Sequence, residues 1–358
     1  MTTSPAGTPA PPLVVVGASA GGVEALRDLV ASLPADLPAC VLVILHVPPD
    51  APSALPAILR RAGRLPVKQA ADGDPLVAGR VLVAAPDHHL VVGGDTVMLT
   101  RGPRENGHRP AVDVLFRSAA RSHGPRVLAV VLSGTLDDGA AGSAAVAEQG
   151  GRVAVQDLGE ALYASMPGAA CAAVPAADQL GVRALAALVA TWAQGLPTPP
   201  PADPVPSDPD DLTPGTLDKE IEMAELDPDG LHDPSRPGVP SGFGCPDCAG
   251  ALFEIKEGPL LRYRCRVGHA WSAESLLGRQ TSEVEGALWM ALRSLEEKAA
   301  LKSDLADRAG GSGRDRVSAL FRSGAREALG AAELVRRLID EIGAAGAPGL
   351  LEREDDTA

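Results

Sequence analysis

Two constellations in this 358-residue sequence carry side chains whose types and spacing could do chemistry. The first is Gly17-Ala-Ser19-Ala-Gly21-Gly22, set where an apolar run, Leu13–Val16, gives way to a helical pattern starting at Val23. Three readings compete for it. A glycine-rich turn before a helix can cradle a phosphate, but the spacing departs from G-x-G-x-x-G and no acid ends a second strand to meet a ribose. The G-x-S-x-G spacing is also that of a nucleophile elbow, where small flanking residues let a tight turn present the serine Oγ. The plain reading is a Gly/Ser-rich connection without chemistry, which suffices for an isolated match.

A base and an orienting acid would have to come from other strand ends. Val41–Leu45 runs directly into His46, and Leu132-Ser-Gly134-Thr-Leu-Asp137-Asp138-Gly139 again joins a strand end to a glycine turn and a helix start. Taken singly, His46 reads as a hydrogen-bonded structural histidine and the acids as helix N-caps. Taken together, serine, histidine and aspartate at three strand ends converge at one edge of a parallel sheet, as a hydrolytic triad requires. The chain order Ser19, His46, Asp138, with the elbow after the first strand, disfavours the usual α/β-hydrolase, which runs Ser, Asp/Glu, His.

The second constellation is Cys245-Pro-Asp-Cys248 followed by Cys265-Arg-Val-Gly-His269. This C-x2-C-x16-C-x3-H spacing offers two close pairs of ligands and suits a closed tetrahedral zinc site with a structural role. The alternatives are a reduced thiol cluster without metal and a C-x-x-C redox site, the latter without the thioredoxin-like βαβ it needs.

The elements that would position these residues follow from hydropathy. Candidate strands are Leu13–Val16, Cys40–Leu45, Arg80–Ala84, Val127–Leu132 and Arg152–Gln156, with a hairpin of Leu90–Val92 and Thr96–Thr100. Near-continuously apolar strands alternating with amphipathic helices predict an α/β domain with a mostly parallel sheet and helices on both faces. We divide the chain into a disordered N-terminus (1–12), a catalytic domain (13–195), an acidic Pro-rich linker (196–240), a Cys/His zinc module resembling a zinc ribbon (241–272), a C-terminal helical hairpin (273–345) and a tail (346–358). The linker holds twelve prolines and one helical stretch, Leu217 to Leu226, and has too little apolar area to offset chain entropy.

The net charge of −14 argues against nucleic acid or an anionic membrane as a partner. No apolar run approaches the ~20 residues of a spanning helix, and no signal-like N-terminus precedes Leu13, so membrane insertion is not expected and the cytoplasm is. Against this background Arg101, Arg104, Arg109, Arg117, Arg121 and Arg126 form a local basic excess.

Gly17–Gly22, His46-Val-Pro48, Asn106-Gly-His-Arg109-Pro-Ala-Val-Asp113-Val-Leu-Phe116, Leu132–Gly139 and Glu160–Pro167 (EALYASMP) together resemble the catalytic domain of the chemotaxis protein-glutamate methylesterase family, over about Leu13 to Ala190. The resemblance implies a doubly wound domain that hydrolyses glutamyl methyl esters on chemoreceptor helices and, in some members, deamidates receptor glutamines, with no cofactor for catalysis. By motif position Ser19 is the nucleophile, His46 the base and Asp138 its orienting carboxylate. The backbone N–H groups of Ala20 and Thr135 would receive the oxyanion, although Leu136 stands where the family has glycine. Arg109 and Met166 are expected to dock substrate, and the isolated Leu13–Ala190 segment is expected to keep its activity. No receiver domain fits before Leu13, so control is assigned to a partner, the C-terminal arm or expression level. The competing reading is a non-catalytic signalling scaffold that binds receptor or partner proteins through the same fold and arm.

Overall fold

The computed structural model describes residues 10–49, 52–196, 216–225, 238–257 and 260–345. Of the N-terminus expected to be disordered over 1–12, residues 1–9 fall outside the described residues, as do most of the linker and the tail, whereas residues 10–12 are described and the Pro12 carbonyl accepts the Cys40 N–H at 3.0 Å. The chain divides into two compact units, Met1–Leu276 and Leu277–Ala358.

In chain order the first unit contains β1 (Leu13–Ala18), α1 (Gly22–Ser32), β2 (Cys40–Leu45), α2 (Leu55–Ala62), β3 (Val67–Gln69), β4 (Arg80–Val83), β5 (His89–Gly93), β6 (Thr96–Thr100) and α3 (Val112–His123). There follow β7 (Val127–Val131), α4 (Ala140–Glu148), β8 (Arg152–Gln156), α5 (Ser165–Ala173), β9 (Asp178–Leu180), α6 (Val182–Gly195) and α7 (Thr216–Glu225). Seven strands form one sheet in the order β3-β4-β2-β1-β7-β8-β9, every pairing parallel, while β5 and β6 make a separate antiparallel hairpin.

The alternation of side chains along a strand explains why these strands are apolar throughout. Val14 and Val16 of β1 join a core with Leu26 and Leu29 of α1 and Leu185 of α6. Leu13 and Val15 point the other way, into a core with Leu115 and Phe116 of α3. From β1 the chain first builds outward through β2 and β4, then returns to the opposite side at β7. That reversal opens a crevice beyond the C-terminal ends of β1, β2 and β7, where all three candidate triad residues follow.

Residues 216–225 depart from the linker reading. Ile221, Met223 and Ala224 of α7 are buried, and Ala224 packs with Val91 and Val114. The composition of the whole stretch hid one short apolar face that α3 and the hairpin cover.

The Cys/His segment adds β10 (Val239–Gly244), β11 (Ala251–Glu257), β12 (Leu260–Cys265) and β13 (Ala270–Ser272), an antiparallel four-stranded sheet over a small core that includes Leu252, Tyr263 and Trp271. It belongs to the same compact unit as the large sheet. A buried ion cluster fastens it there: Arg264 Nη2 lies 2.9 Å from both Glu105 Oε1 and Glu220 Oε1, and Arg262 Nη1 lies 2.9 Å from Glu220 Oε2. Arg117 of α3 pairs with both glutamates from the other side. Burial opposes ionisation, but these arginines hold both glutamates below the usual carboxylate range.

The second unit takes in α8 (Ala273–Gly311) from Leu277 onward and α9 (Asp315–Ala345). The two run antiparallel around Leu292, Ala332 and Ile339, with Arg336 Nη2 2.6 Å from Glu296 Oε1. The expected hairpin is thus present, and α8 continues through two glycines before Gly313 turns the chain at a φ of 72°. Trp289, Met290 and Leu320 are exposed on it. No described helix is long and apolar enough to cross a membrane.

Candidate active site and metal centre

Ser19 and His46 sit side by side because β1 and β2 are in register to their last residues, Ala18 opposite Leu45. The His46 N–H then donates to the Ala18 carbonyl at 3.2 Å, and the Ser19 N–H to the Ser133 carbonyl at 3.0 Å. Ser19 is half-buried at the turn into α1. Its Oγ has no hydrogen-bond partner among the described residues, so the strand ends bring Ser19 and His46 together without a side-chain bond between them.

Asp138 Oδ2 lies 2.8 Å from His46 Nε2. Both side chains are almost wholly enclosed, 2% and 6% exposed. The same carboxylate accepts the backbone N–H groups of Val112 (2.7 Å) and Asp113 (3.1 Å) at the start of α3, and the Asn106 amide at 3.2 Å. Burial alone would raise its proton affinity, but His46, His108 and the Val112 N–H hold it well below the usual carboxylate range. An ionised Asp138 requires Nε2 of neutral His46 to be the donor, which leaves the lone pair on Nδ1. Nδ1 is buried and unpaired. That is the arrangement of a base held in one tautomer.

Gly17 makes this approach of α3 possible, since a Cβ there would lie 2.3 Å from Val112 Cγ1. Beneath the site Asp113 accepts the N–H groups of Gly139 (3.0 Å) and Gly142 (2.6 Å) and the Asn106 amide (3.1 Å). Burial, and then the charge of Asp138, push Asp113 up to about 7. His108 stacks on His46 with ring centroids 3.6 Å apart, and burial and the neighbouring His46 push it down to about 4. His88 and His89 hydrogen-bond the backbone carbonyls of Pro86 and Pro103.

The two expected oxyanion donors, Ala20 N–H and Thr135 N–H, flank Ser19 and have no acceptor among the described residues. The loop carrying Thr135 is cradled by the EALYASMP stretch, with Gly134 N–H donating to Tyr163 O and Met166 N–H to Gly134 O, both at 3.0 Å. Leu136 takes a φ of 61°, so the turn keeps the left-handed conformation despite the missing glycine.

Met166 is buried and not on the rim where the docking expectation put it. Its side chain is 0% exposed and lies under Gly134, where a Cβ would come within 2.0 Å of Met166 Sδ and 2.9 Å of Ser19 Cβ. The motif position pointed to the site rim, but α5 turns the residue inward to support the loop.

A cleft of about 320 Å³ opens beside His46, lined also by Val47, Pro48, Arg104, His108 and Arg109, while Ser19 lies outside its lining. Arg109 reaches this cleft but is largely spent within the fold, its Nε and Nη2 on Asp87 Oδ1 (3.0 and 2.7 Å) and its Nη1 on the carbonyls of Arg101 and Gly102. The Arg104 guanidinium has no partner among the described residues and is the better-placed cation. Sequence reasoning counted Arg104 only within the basic excess and assigned no role to Asn106, Asp113 or the stacking of His108. An Asn-Gly pair reads first as a turn, and Asn106 does take the left-handed φ of 52°.

Cys245, Cys248, Cys265 and His269 bring their ligand atoms within 4.8 Å of one another. The pairs Cys245 Sγ–His269 Nδ1, Cys265 Sγ–His269 Nδ1 and Cys248 Sγ–Cys265 Sγ are 3.7, 3.5 and 3.6 Å apart. The edges of a tetrahedron built on usual zinc–ligand lengths are about 3.5–3.8 Å, so the donor set fits a closed zinc site. Burial, followed by the neighbouring thiols, pushes Cys265 up to about 12, a direction that a bound dication reverses.

Residues 14–189 match the family model described as CheB methylesterase. The chain is 42% identical over 164 residues to protein-glutamate methylesterase/protein-glutamine glutaminase 2 of Methanosarcina mazei, covering 44% of this chain and 45% of that one. It is 42% identical over 185 residues to protein-glutamate methylesterase/protein-glutamine glutaminase 1 of Anaeromyxobacter dehalogenans, covering 51% and 53%. The chain thus spans about half the length of the curated relatives it matches. The solved CheB methylesterase catalytic domain of Thermotoga maritima aligns with a TM-score of 0.49 at 29% identity, covering 51% of this chain and 98% of that one.

Proposed function

We propose that this chain, whose residues 14–189 match the CheB methylesterase family model, is a serine hydrolase that demethylates glutamyl methyl esters on chemoreceptor helices and deamidates receptor glutamines at the same site. The observation that carries the reading is the His46 Nε2–Asp138 contact of 2.8 Å, which leaves Nδ1 unpaired on a residue whose strand end neighbours that of Ser19.

Ser19 Oγ attacks the ester carbonyl as His46 Nδ1 takes its proton, and the tetrahedral oxyanion is received by the Ala20 and Thr135 N–H groups. Collapse expels methoxide, which takes the proton from His46 and leaves as methanol. Water then attacks the acyl-enzyme, again giving its proton to His46, and the restored Ser19 releases a glutamate carboxylate. With a glutamine substrate the first leaving group is ammonia. Asp138 stays ionised and stabilises the imidazolium in each half.

Arg104 and, to a smaller extent, Arg109 draw the acidic receptor helix to the cleft. Cys245, Cys248, Cys265 and His269 would hold a zinc ion that closes the small sheet and supplies no chemistry to the ester. A cytoplasmic site of action and a signalling partner for the α8–α9 arm complete the reading. Methanol release from methylated receptor is the deciding assay: the chain should release it and Ser19→Ala should not. Equal release by both would overturn the assignment.

A further inference from the structure

Asn106 belongs to the loop before α3, yet its side chain ends where two distant segments meet. Its Nδ2 donates to Asp113 Oδ2 at 3.1 Å and to Asp138 Oδ1 at 3.2 Å. Its Oδ1 accepts the Ser272 N–H at 2.9 Å and the Ser275 hydroxyl at 3.1 Å. An amide has two donor hydrogens and one acceptor oxygen, so this set uses it fully and fixes which end faces the carboxylates. Flipping it would turn an oxygen toward two carboxylates and leave both serine donors facing N–H groups, so the orientation is locked from the serine side.

Those serines form the start of α8. Ser275 N–H donates to Ser272 Oγ at 3.0 Å and Ser272 N–H to Ser275 Oγ at 3.0 Å, a reciprocal cap that holds both donors in place. The Ser272 hydroxyl also reaches Asp137 Oδ1, the neighbour of Asp138, at 2.6 Å. Asn106 N–H donates to the Ala270 carbonyl at 2.8 Å, and β13 thereby runs alongside the loop. The small Cys/His sheet thus delivers its last strand directly to the back of the candidate triad.

Resting on the triad reading above, we propose that Asn106 is a positioning residue for Asp138 and that the Ser272–Ser275 turn of the Cys/His module sets its orientation, making the module part of the hydrolytic machinery. The amide donor shares the Asp138 charge and fixes the carboxylate that faces His46 Nε2. The groups that face this pair are His108, stacked on His46, with Asp113 and Asp137 beside Asp138, Arg104 beyond His108, and the buried His89.

The test uses the full-length chain and a fluorophosphonate, which labels an activated serine without any receptor. Labelling rates of wild type, Ser275→Ala and Asn106→Asp are measured across pH, with folding checked by circular dichroism. Asn106→Asp keeps the size and the left-handed backbone preference but loses the donors. For both variants the rate should fall roughly three- to tenfold or more, and its rising limb should move to higher pH, because a less neutralised Asp138 retains the imidazolium longer. Folded variants with wild-type rate and limb, or a lower rate with an unmoved limb, would overturn the positioning role. A wild-type chain that is not labelled at Ser19 would instead remove the triad reading beneath it.

Discussion

Asp113 and Asp138 each cap the helix to which the other is bound. Asp113, in the first turn of α3, accepts the N–H groups of Gly139 and Gly142 at the head of α4, and Asp138, just before α4, accepts those of Val112 and Asp113 at the head of α3. A helix N-terminus is aimed at each, yet burial and the Asp138 charge push Asp113 up to about 7, so Asp138 carries the charge of the pair more firmly.

Replacing Asp138 by Asn should therefore do more than remove a charge. An amide NH2 toward Nε2 would make that nitrogen the acceptor and move the ring proton to Nδ1, occupying the base position. Turnover should fall by about 10⁴-fold with KM little changed, while Ser19→Ala should be at least comparably damaging. Steady-state methanol release measures both, and an Asp138→Asn enzyme near wild-type turnover would exclude the orienting role.

The buried histidines give a pH signature. His108 and His123 are both pushed down to about 4, chiefly by burial. A histidine depressed in the folded state contributes stability that is present above its unfolded value near 6.5 and is lost as pH falls through about 4. Asp138, being depressed, begins to lose its contribution only below the ordinary carboxylate range. Between pH 6.5 and 4 these histidines thus lower the urea midpoint while Asp113 and Asp137, pushed up to about 7 and about 6, raise it. His108→Phe, which keeps the stacking partner of His46, should lift the midpoint at pH 4 relative to that at pH 7 when compared with wild type.

Met166→Ala should act on stability before substrate binding. Truncating this buried side chain should cost about 2–5 kcal/mol, read from urea unfolding, and slow turnover through the Gly134 loop. A change confined to KM would return Met166 to the substrate surface.

The two cleft arginines should separate. Arg104→Ala should raise KM and weaken its dependence on ionic strength, since a free cation at the cleft acts by steering and uniform binding. Arg109→Ala should chiefly destabilise the loop it ties to Asp87. The reverse pattern would reinstate Arg109 as the docking group.

Metal analysis of chain purified without chelators should find one zinc per chain, absent from Cys265→Ser. A chain ended at Leu196 should be less active than the full chain, contrary to the expectation drawn from sequence, because Asn106 and Glu105 lose the partners that the small sheet supplies. Full retention of activity would mean that the module only decorates the domain.

Much of the architecture is legible in the sequence because fully buried parallel strands write themselves as apolar runs. Cys40–Leu45 and Arg152–Gln156 have the expected bounds, and the ends of β1 and β2 placed Ser19 and His46 correctly. The Cys/His spacing likewise foretold a cluster that the structure assembles. The short edge strands β3 and β9 went unread, since three residues hold too little pattern. Asn106 was given no role, and Met166 was placed on the substrate rim, for another reason. The role of each is set by what lies across space from it, Ser272 and Ser275 in one case and Gly134 in the other, and no local periodicity encodes such a partner.

The distance along the chain between Asp138 and the Ser272–Ser275 turn also imposes an order in time. A ribosome delivers the large sheet with Ser19 and His46 long before it delivers the serines that contact Asn106. Until then the two arginines of β12 are missing from the Glu105–Arg117 pair, and the amide behind Asp138 is free to turn. Folding of the last strand of the small Cys/His sheet is thus the step that would complete the proposed site, so a nascent chain would gain full activity only once residues up to Ser275 have emerged.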